Sequence, residues 1–393
     1  MKNILIVSGV FYPEPVTSAL MNYDLALELA KKHNVTVLRP RPTRPMGRDY
    51  HEFKTVYPFR CIEMDSFTCP QSSLIGRFKE SISFGMVCAK YIEKYKAEID
   101  VVYNASWQLF GYNIVARKCV KYSIPYVIPI QDIYPESLFS NRNYPSIIKR
   151  MISIVLKPID EYYQRHAYKI RTISDEMAIY LSETRGVPRD KYLVLDNWQN
   201  DEDFIYTPID NEKLIFGYVG SVNGHSNTEL IIKAFAKANI SDSELRIYGD
   251  GNHKDSCVHL VESMKLTNVL FNMVEKKQVP EVQSMINVLV LALPTGNGGL
   301  CLPSKVTSYM LSGRPILASV EQSATTRYIE EANCGIIVAP DDIDALAEGF
   351  VKFSLMTIDE QNRLGRNSRV FAEHKLMRKS NLPMVVNALL NAE

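Results

Sequence analysis

Apolar residues along this chain fall in short, nearly unbroken runs separated by longer stretches of helical periodicity. Ile4 to Val7 forms the first run, a turn-rich loop from Gly9 to Ser18 comes next, and a helical pattern through Ala19 to Lys32 leads to a second run at Val35 to Leu38. That order predicts a βαβ unit, because parallel strands covered by helices on both faces read as continuous apolar runs and not as alternation. Asp100 to Tyr103, Tyr126 to Ile130 and Ile170 to Ile173 continue the series with helical stretches between them. The first half is therefore expected to be a doubly wound parallel sheet.

Near Asn197 the pattern gives way to WQNDEDFIYTPIDNEK, a polar, non-periodic stretch of the kind that separates domains. A second series of strands is predicted at Leu214 to Val219, Glu244 to Tyr248, Val269 to Phe271, Val288 to Leu293, Ile316 to Ser319 and Gly335 to Val338. With 393 residues, more than one ordinary core accommodates, the chain reads as an N-terminal Rossmann-like domain over 1–197 and a linker over 198–212. A C-terminal Rossmann-like domain over 213–375 and a helical tail over 376–393 complete the expected organisation. The tail pattern, Leu382 to Leu390, is apolar on one side and contains Pro383.

Composition narrows the class. A chain 46% hydrophobic and 23% charged can bury full cores, and 45 Lys and Arg against 44 Asp and Glu give no global field for a nucleic-acid partner. The opening MKNILIVSGVF reads as a strand and not as a leader peptide, and no apolar segment reaches the ~18 residues of a membrane span. Seven cysteines, an odd number without a CxxC pair, suit reduced thiols in a cytoplasm. His253, Cys257 and His259 have helix-compatible spacing but no fourth partner nearby, so no metal site is expected.

Candidate chemistry gathers where strands end. In GLCLPSKVTSYMLSGR (Gly299 to Arg314), Pro303 and Ser304 open a helix that Gly313 closes. Lys305 then falls in the first turn, where the helix dipole disfavours a cation unless an anion is resident. A diphosphate is the expected anion; the alternative is an ordinary helix with a solvated lysine. Gly220 and Ser221 end the second domain's first strand in a turn, where Gly220 allows close backbone approach and Ser221 offers a hydroxyl. The turn Gly249, Asp250, Gly251 is similarly placed. In the first domain, Gln131, Asp132, Ile133, Tyr134, Pro135, Glu136 and Ser137 come directly after an apolar strand. Asp132 is a candidate to bind a sugar hydroxyl or to take or relay a proton, with a turn-closing role as its alternative.

Taken in order, these segments resemble family 4 glycosyltransferases, in particular a bacterial branch that builds surface polysaccharide from nucleotide-activated amino sugars. FYPEPVTSA (Phe11 to Ala19) resembles that branch's first loop, with Thr17 and Ser18 as its acceptor or phosphate loop, and QDIYPES (Gln131 to Ser137) resembles its Asp-aromatic-Pro-Glu-Ser signature. ISDEMAIYLSETRGVPRDKYLVLDN (Ile173 to Asn197) is similar to the segment closing its first domain, and LPSKVTSYMLSGRPILAS (Leu302 to Ser319) to its Pro-Ser-Lys motif. The resemblance implies the GT-B architecture, two Rossmann-like domains with an interdomain cleft. It also implies a retaining, metal-independent transfer from a nucleotide diphosphate sugar, with a UDP-sugar expected, and no resident cofactor. Asp132, Glu136 and Lys305 are then the expected catalytic residues. Gly220, Ser221, Val274, Glu275, Pro303, Ser304, Lys305 and Ser308 are the expected donor-binding group. Three departures stand out: Leu300 and Ser308 occupy the places of the family's spaced glutamates, His225 is the one basic residue in GSVNGHSNT, and Val16 and Thr17 replace the glycines common in the first loop.

Residues 144–159 place Ile147, Ile148, Met151, Ile152, Val155 and Ile159 on one helical side, with Lys149, Arg150 and Lys157 nearby and no acid before Asp160. The pattern fits either a core-facing amphipathic helix or one lying on an anionic membrane. The second reading would bring the protein, as a peripheral visitor to the inner face of the plasma membrane, to a lipid-linked glycan acceptor in capsule, O-antigen or exopolysaccharide synthesis. Rival readings are a sugar-nucleotide epimerase or hydrolase on the same fold, or a non-catalytic nucleotide-binding homologue. A nicotinamide dehydrogenase is disfavoured because no GxGxxG succeeds either first strand.

Overall fold

The computed structural model describes all residues except 45, 47–48, 51–55, 72, 140–143, 199–200, 211–212, 225, 297–302 and 393, together with the side chains of Asp201, Lys276 and Ser304. The chain divides into two units, Met1–Leu195 with Asn381–Glu393, and Asp196–Ser380.

In the first unit, β1 (Asn3–Ser8), β2 (Asn34–Arg39), β3 (Arg60–Glu63), β4 (Val101–Ala105), β5 (Tyr126–Ile130), β6 (Lys169–Thr172) and β7 (Tyr192–Val194) form one sheet in the order β3-β2-β1-β4-β5-β6-β7. Every pairing is parallel, and β1, β4 and β5 are almost wholly buried, as their unbroken apolar runs require. The helices are α1 (Thr17–Ala30), α2 (Leu74–Tyr95), α3 (Phe110–Lys121), α4 (Ser146–His166) and α5 (Asp175–Arg185). Strands β3 and β7 are absent from the sequence pattern; both are short edge strands, and β3 buries none of its residues and β7 only Tyr192, which leaves no apolar run to read.

The second unit repeats the plan. Its strands are β8 (Leu214–Val219), β9 (Ser243–Tyr248), β10 (Val269–Asn272), β11 (Val288–Ala292), β12 (Ile316–Ser319) and β13 (Gly335–Val338), in the parallel order β10-β9-β8-β11-β12-β13. Helices α6 (Thr228–Ala238), α7 (Lys254–Ser263), α8 (Val279–Ser284), α9 (Ser304–Leu311), α10 (Ala324–Ala332), α11 (Ile343–Ser354) and α12 (Ile358–Lys375) surround it. Two apolar clusters, one on each face of the sheet, fix the layers: one includes Phe216, Phe235 and Phe350, the other Leu289, Tyr309 and Met310.

The expected linker and tail differ from those observed. Asp196–Ser380 forms the second unit, and the polar segment 203–210 is bolted to it. Phe204 and Ile209 are buried, Arg369 donates to the Phe204 carbonyl at 2.7 Å, and Asn362 exchanges two hydrogen bonds with the Ile209 backbone at 2.7 and 3.0 Å. These partners lie far away in sequence, so local polarity conceals the attachment. The tail splits between the units. Leu376 and Met377 are buried in the second, whereas Asn381–Glu393, which includes the greater part of α13 (Arg378–Leu390), joins the first. Leu382, Val385 and Leu389 are buried there, and Lys2 Nζ donates to the Ala392 carbonyl at 3.1 Å.

Arg314 fastens the segment near Thr207. Fully buried and with no ion-paired carboxylate recorded among the described residues, it donates to the Thr207 carbonyl at 2.9 Å and to the carbonyls of Gln283 and Ser284. Burial pushes its pKa down to about 10. We predict that Arg314→Met, which leaves those buried carbonyls without their donor, destabilises the second unit by about 2–4 kcal/mol. The measurement is the urea unfolding midpoint; an unchanged midpoint would show that the clamp adds nothing.

Candidate active site

In open parallel sheets the strand order reverses at one point, and the two connections leaving it diverge to open a crevice at the carboxyl ends. Each unit has such a point, between β1 and β4 in the first and between β8 and β11 in the second. In the first unit that place holds a cavity of about 180 Å³, large enough for a single sugar ring, whose walls include Gly9, Ser18, Arg77, Trp107, Gln131 and Asp132. Ser18, in the first turn of α1, donates to Gln131 Oε1 at 3.0 Å. Thr17 opens the same helix without lining the cavity.

Asp132 stands on the cavity wall with no hydrogen bond or ion pair to its carboxylate recorded among the described residues. The concavity leaves it open to solvent yet poorly hydrated, so burial raises its pKa, with the nearby Arg77 charge opposing the rise. Such a group is suited to accept or hold a proton from a hydroxyl.

Glu136, expected beside it, does not line this cavity. Arg185, fully buried, donates to Glu136 at 2.7 and 2.9 Å, to Asp160 at 2.6 Å and to the Tyr134 carbonyl at 2.8 Å. Tyr180 adds a hydrogen bond to Glu136 at 2.9 Å. Burial opposes ionisation of Glu136, but the Arg185 hydrogen bonds and charge outweigh it and hold this carboxyl below the usual range. Glu136 therefore anchors the Asp132 loop, and a buried arginine 49 positions along the chain holds it there. Asp132 lines the cavity and Glu136, in the 3-10 turn Glu136–Leu138, does not.

Trp107 forms another wall that the sequence pattern does not single out. Its ring lies against Gly9, where an added Cβ would come within 3.0 Å, and the Arg44 guanidinium sits 4.4 Å from the ring centroid. Arg44 is itself paired with the buried Glu80 at 2.7 Å. A glycine, a cation and a distant carboxylate thus set the indole's position.

In the second unit, α9 is packed against the end of β8 by Tyr309, whose buried hydroxyl accepts from the Val219 amide at 3.0 Å. Lys305, four residues earlier on the same helical side, is thereby laid over Gly220. A Cβ on Gly220 would overlap Lys305 Cε, and one on Gly249 would overlap the Gly220 carbonyl, so both glycines, at φ of 152° and 143°, are required by close approach. Lys305 Nζ lies 5.3 Å from the Tyr218 ring centroid and has no hydrogen-bonding or ion-pair partner recorded among the described residues. Burial lowers its pKa. Pro303 is the helix N-cap and supplies no side-chain cap, so the positive dipole end of α9 lies beside the ammonium.

The other expected donor residues divide. Ser221 is exposed in the turn after β8, and its carbonyl accepts from Tyr218. Val274 is half-buried and Glu275 exposed in the loop after β10, where Glu275 pairs with Lys277 at 3.1 Å. Ser308 is buried, accepts from Gln283 Nε2 at 3.2 Å and donates to the Lys305 carbonyl at 3.0 Å. His225, Leu300 and the Ser304 side chain lie outside the described residues.

The amphipathic helix α4 turns an apolar side outward. Ile147, Met151, Ile154 and Val155 are 64–70% exposed, while Leu156, Asp160, Tyr163 and Gln164 face the core. Ile152 and Ile159 are only half-buried, and Ile154 joins the exposed side in their place.

Comparison with known proteins accords with this geometry. Residues 19–202 match the family model described as Glycosyltransferase Family 4, and residues 199–371 the one described as Glycosyl transferases group 1. The Probable glycosyltransferase WbjE of Pseudomonas aeruginosa is 25% identical over 237 residues, 56% of this chain and 58% of that protein, so the match spans less than two thirds of the relative. Among solved structures, Anabaena HepE in complex with UDP is similar with a TM-score of 0.71 at 13% identity, covering 99% of this chain and 100% of that one. WaaG, a glycosyltransferase involved in lipopolysaccharide biosynthesis, gives a TM-score of 0.66 at 15% identity over 99% of this chain and 100% of the other. At such identities these two likenesses show the fold.

The Glu136 arrangement makes a signed prediction. Because its pKa is depressed, its ion pair stabilises fully above the ordinary carboxylate range and fades as pH falls through the lowered value. Glu136→Gln should cost about 1 kcal/mol at neutral pH, a figure reduced for the partial exposure of the side chain. The gap between the two urea midpoints should close on acidification; a gap that widened would rule out the ion pair as its source.

Proposed function

This chain belongs to glycosyltransferase family 4 and has the GT-B fold, and we propose that it transfers a sugar from a UDP-sugar to a lipid-linked glycan, with retention of anomeric configuration and without a metal. The observation that carries the donor half is Lys305, an ammonium with no partner recorded among the described residues, pressed onto Gly220 in the first turn of α9. A leaving diphosphate develops charge as the anomeric bond breaks, and a preorganised cation with helix amides stabilises that charge most where water is sparse. The first-unit cavity, with Asp132 on its wall, serves the acceptor: Asp132 orients the attacking hydroxyl. A UDP-bound relative in fold supports uridine as the base, and a relative in fold named for lipopolysaccharide biosynthesis supports a surface glycan as the product. The N-acetylamino sugar of the resembled branch is the donor sugar we favour.

The exposed side of α4 supplies the approach to a lipid-linked acceptor. Its apolar residues, with Lys149, Arg150 and Lys157 and no acid before Asp160, fit the interface of an anionic bilayer. No helix of the described residues is long and apolar enough to cross a membrane, so contact would be peripheral, on the cytoplasmic side.

UDP should raise the melting temperature more than GDP or ADP, since a ligand bound only by the folded state stabilises it. Lys305→Ala should lower kcat/KM by the equivalent of about 2–4 kcal/mol. Since burial lowers the Lys305 pKa and a bound diphosphate favours the ammonium, affinity for UDP should be full below the free-protein pKa and decline as pH rises through it. Lys305→Met should bind weakly at every pH; a variant with native turnover would remove Lys305 from the mechanism. Separately, the protein should sediment with anionic liposomes at low salt and not with zwitterionic ones, and Met151→Glu should abolish sedimentation. Equal partition of both proteins would remove α4 from membrane contact.

A further inference from the structure

The chemistry of the first-unit cavity is more specific than a generic sugar site. Most polar side chains on its walls are already committed to the protein. Ser18 donates to Gln131 at 3.0 Å, Asn22 to Ser8 at 2.8 Å, and Ser106 to Asn104 at 2.7 Å. Ser81 donates to the Gln108 carbonyl at 3.1 Å and accepts from the Gly111 amide at 2.8 Å. Two charged side chains remain on the wall, Arg77 and Asp132, and neither has a hydrogen-bonding or ion-pair partner recorded among the described residues.

The position of Arg77 is set by helix geometry. Ser73 caps α2 by accepting from the Gly76 amide at 3.3 Å, and the first turn contains no acid. Leu74, Arg77, Phe78 and Ser81 then fall at i, i+3, i+4 and i+7, one stripe of the helix, and all four line the cavity. A cation so near a helix start is disfavoured by the dipole. The first turn of α1, at whose beginning no side chain caps the amides and no acid is present, brings Ser18 to the same cavity. Elsewhere in this unit the guanidiniums of Arg44, Arg171 and Arg185 all spend donors on the protein. Burial raises the pKa of both Asp132 and Tyr134, and the Arg77 charge opposes the rise in each.

Resting on the transferase reading above, we propose that the acceptor carries an anionic oxygen group, a carboxylate or a phosphate, which Arg77 binds while Asp132 takes the hydroxyl that is to be glycosylated. The two charges, opposite in sign and without hydrogen-bonding partners recorded among the described residues, are best matched by complementary groups on one ligand. A guanidinium pairs with carboxylate or phosphate through two parallel hydrogen bonds, and the apolar walls of Leu74, Phe78 and Trp107 strengthen that pairing. Neutral sugars leave Arg77 unsatisfied and gain less.

The chain has two tryptophans, Trp107 on this cavity and Trp198, which is buried and belongs to the second unit. In the full-length Trp198→Phe protein, emission reports on the cavity wall alone. Methyl glucuronide tests the carboxylate source, glucose 1-phosphate the phosphate source, and methyl glucoside is the neutral control. At least one anionic probe should give a saturable change with a Kd on the order of millimolar, roughly tenfold or more tighter than the control. Arg77→Gln, at an exposed position, should reduce that probe to the level of the control, while UDP still raises the melting temperature. Equal response to all three probes, no response to any, or anion binding undiminished by Arg77→Gln would overturn the proposal. If UDP stabilises the protein while the titration fails, this inference alone falls; if UDP does not stabilise it, the donor reading falls instead. Should Trp198→Phe not fold, saturation-transfer NMR with the same probes on the wild-type chain gives the same comparison.

Discussion

The constraint on which the rest of this structure depends is the reversal of strand order within each parallel sheet. A strand flanked by neighbours wound to opposite sides leaves its carboxyl end uncovered, and loops departing in both directions cannot close over it. The cavity of the first unit and the Lys305 contact of the second both sit near such ends. Gly9, Trp107 and Asp132 come after β1, β4 and β5, while Gly220 succeeds β8 and Lys305 lies in the first helix after β11. The central strands β4, β5 and β11 are buried along their whole length, so what they offer a ligand lies at their ends.

Around those ends, arginines act as fasteners. Arg185 ties the Asp132 loop to α4 and α5 by binding Glu136, Asp160 and the Tyr134 carbonyl. Arg44 holds Trp107 while paired to Glu80. Arg314 and Arg369 hold the segment near Thr207 and Phe204 on the second unit. Buried guanidiniums are costly, and they persist here because each meets several carbonyls or carboxylates in its rigid donor fork. Arg77 and Lys305, each beside the end of a strand array, have no such partners recorded among the described residues, which is why they rank as ligand groups.

Which parts of this are legible in advance obeys a physical rule. Strands buried on both faces, such as Tyr126–Ile130 and Leu214–Val219, can be read with their observed limits because parallel sheets demand unbroken apolar runs. Edge strands such as Arg60–Glu63 escape, having no such run. The helix opened at Pro303 and closed at Gly313 is also legible, since turn and cap preferences act over neighbouring residues. Asp132 at a strand end is found by the same local logic, and Arg77, without a motif around it, is not.

By itself the sequence determined what local forces decide: two series of parallel strands, the helix carrying Lys305, and a carboxylate at the end of β5. Only the tertiary structure decided which side chains remain free. Glu136 and Ser308 look as available as Asp132 and Lys305 in the sequence, yet Arg185 and Gln283 consume them, and those partners come from positions distant in the chain. Hydrogen-bond capacity is limited, and its allocation depends on packing between elements, which no pattern of neighbouring residues records.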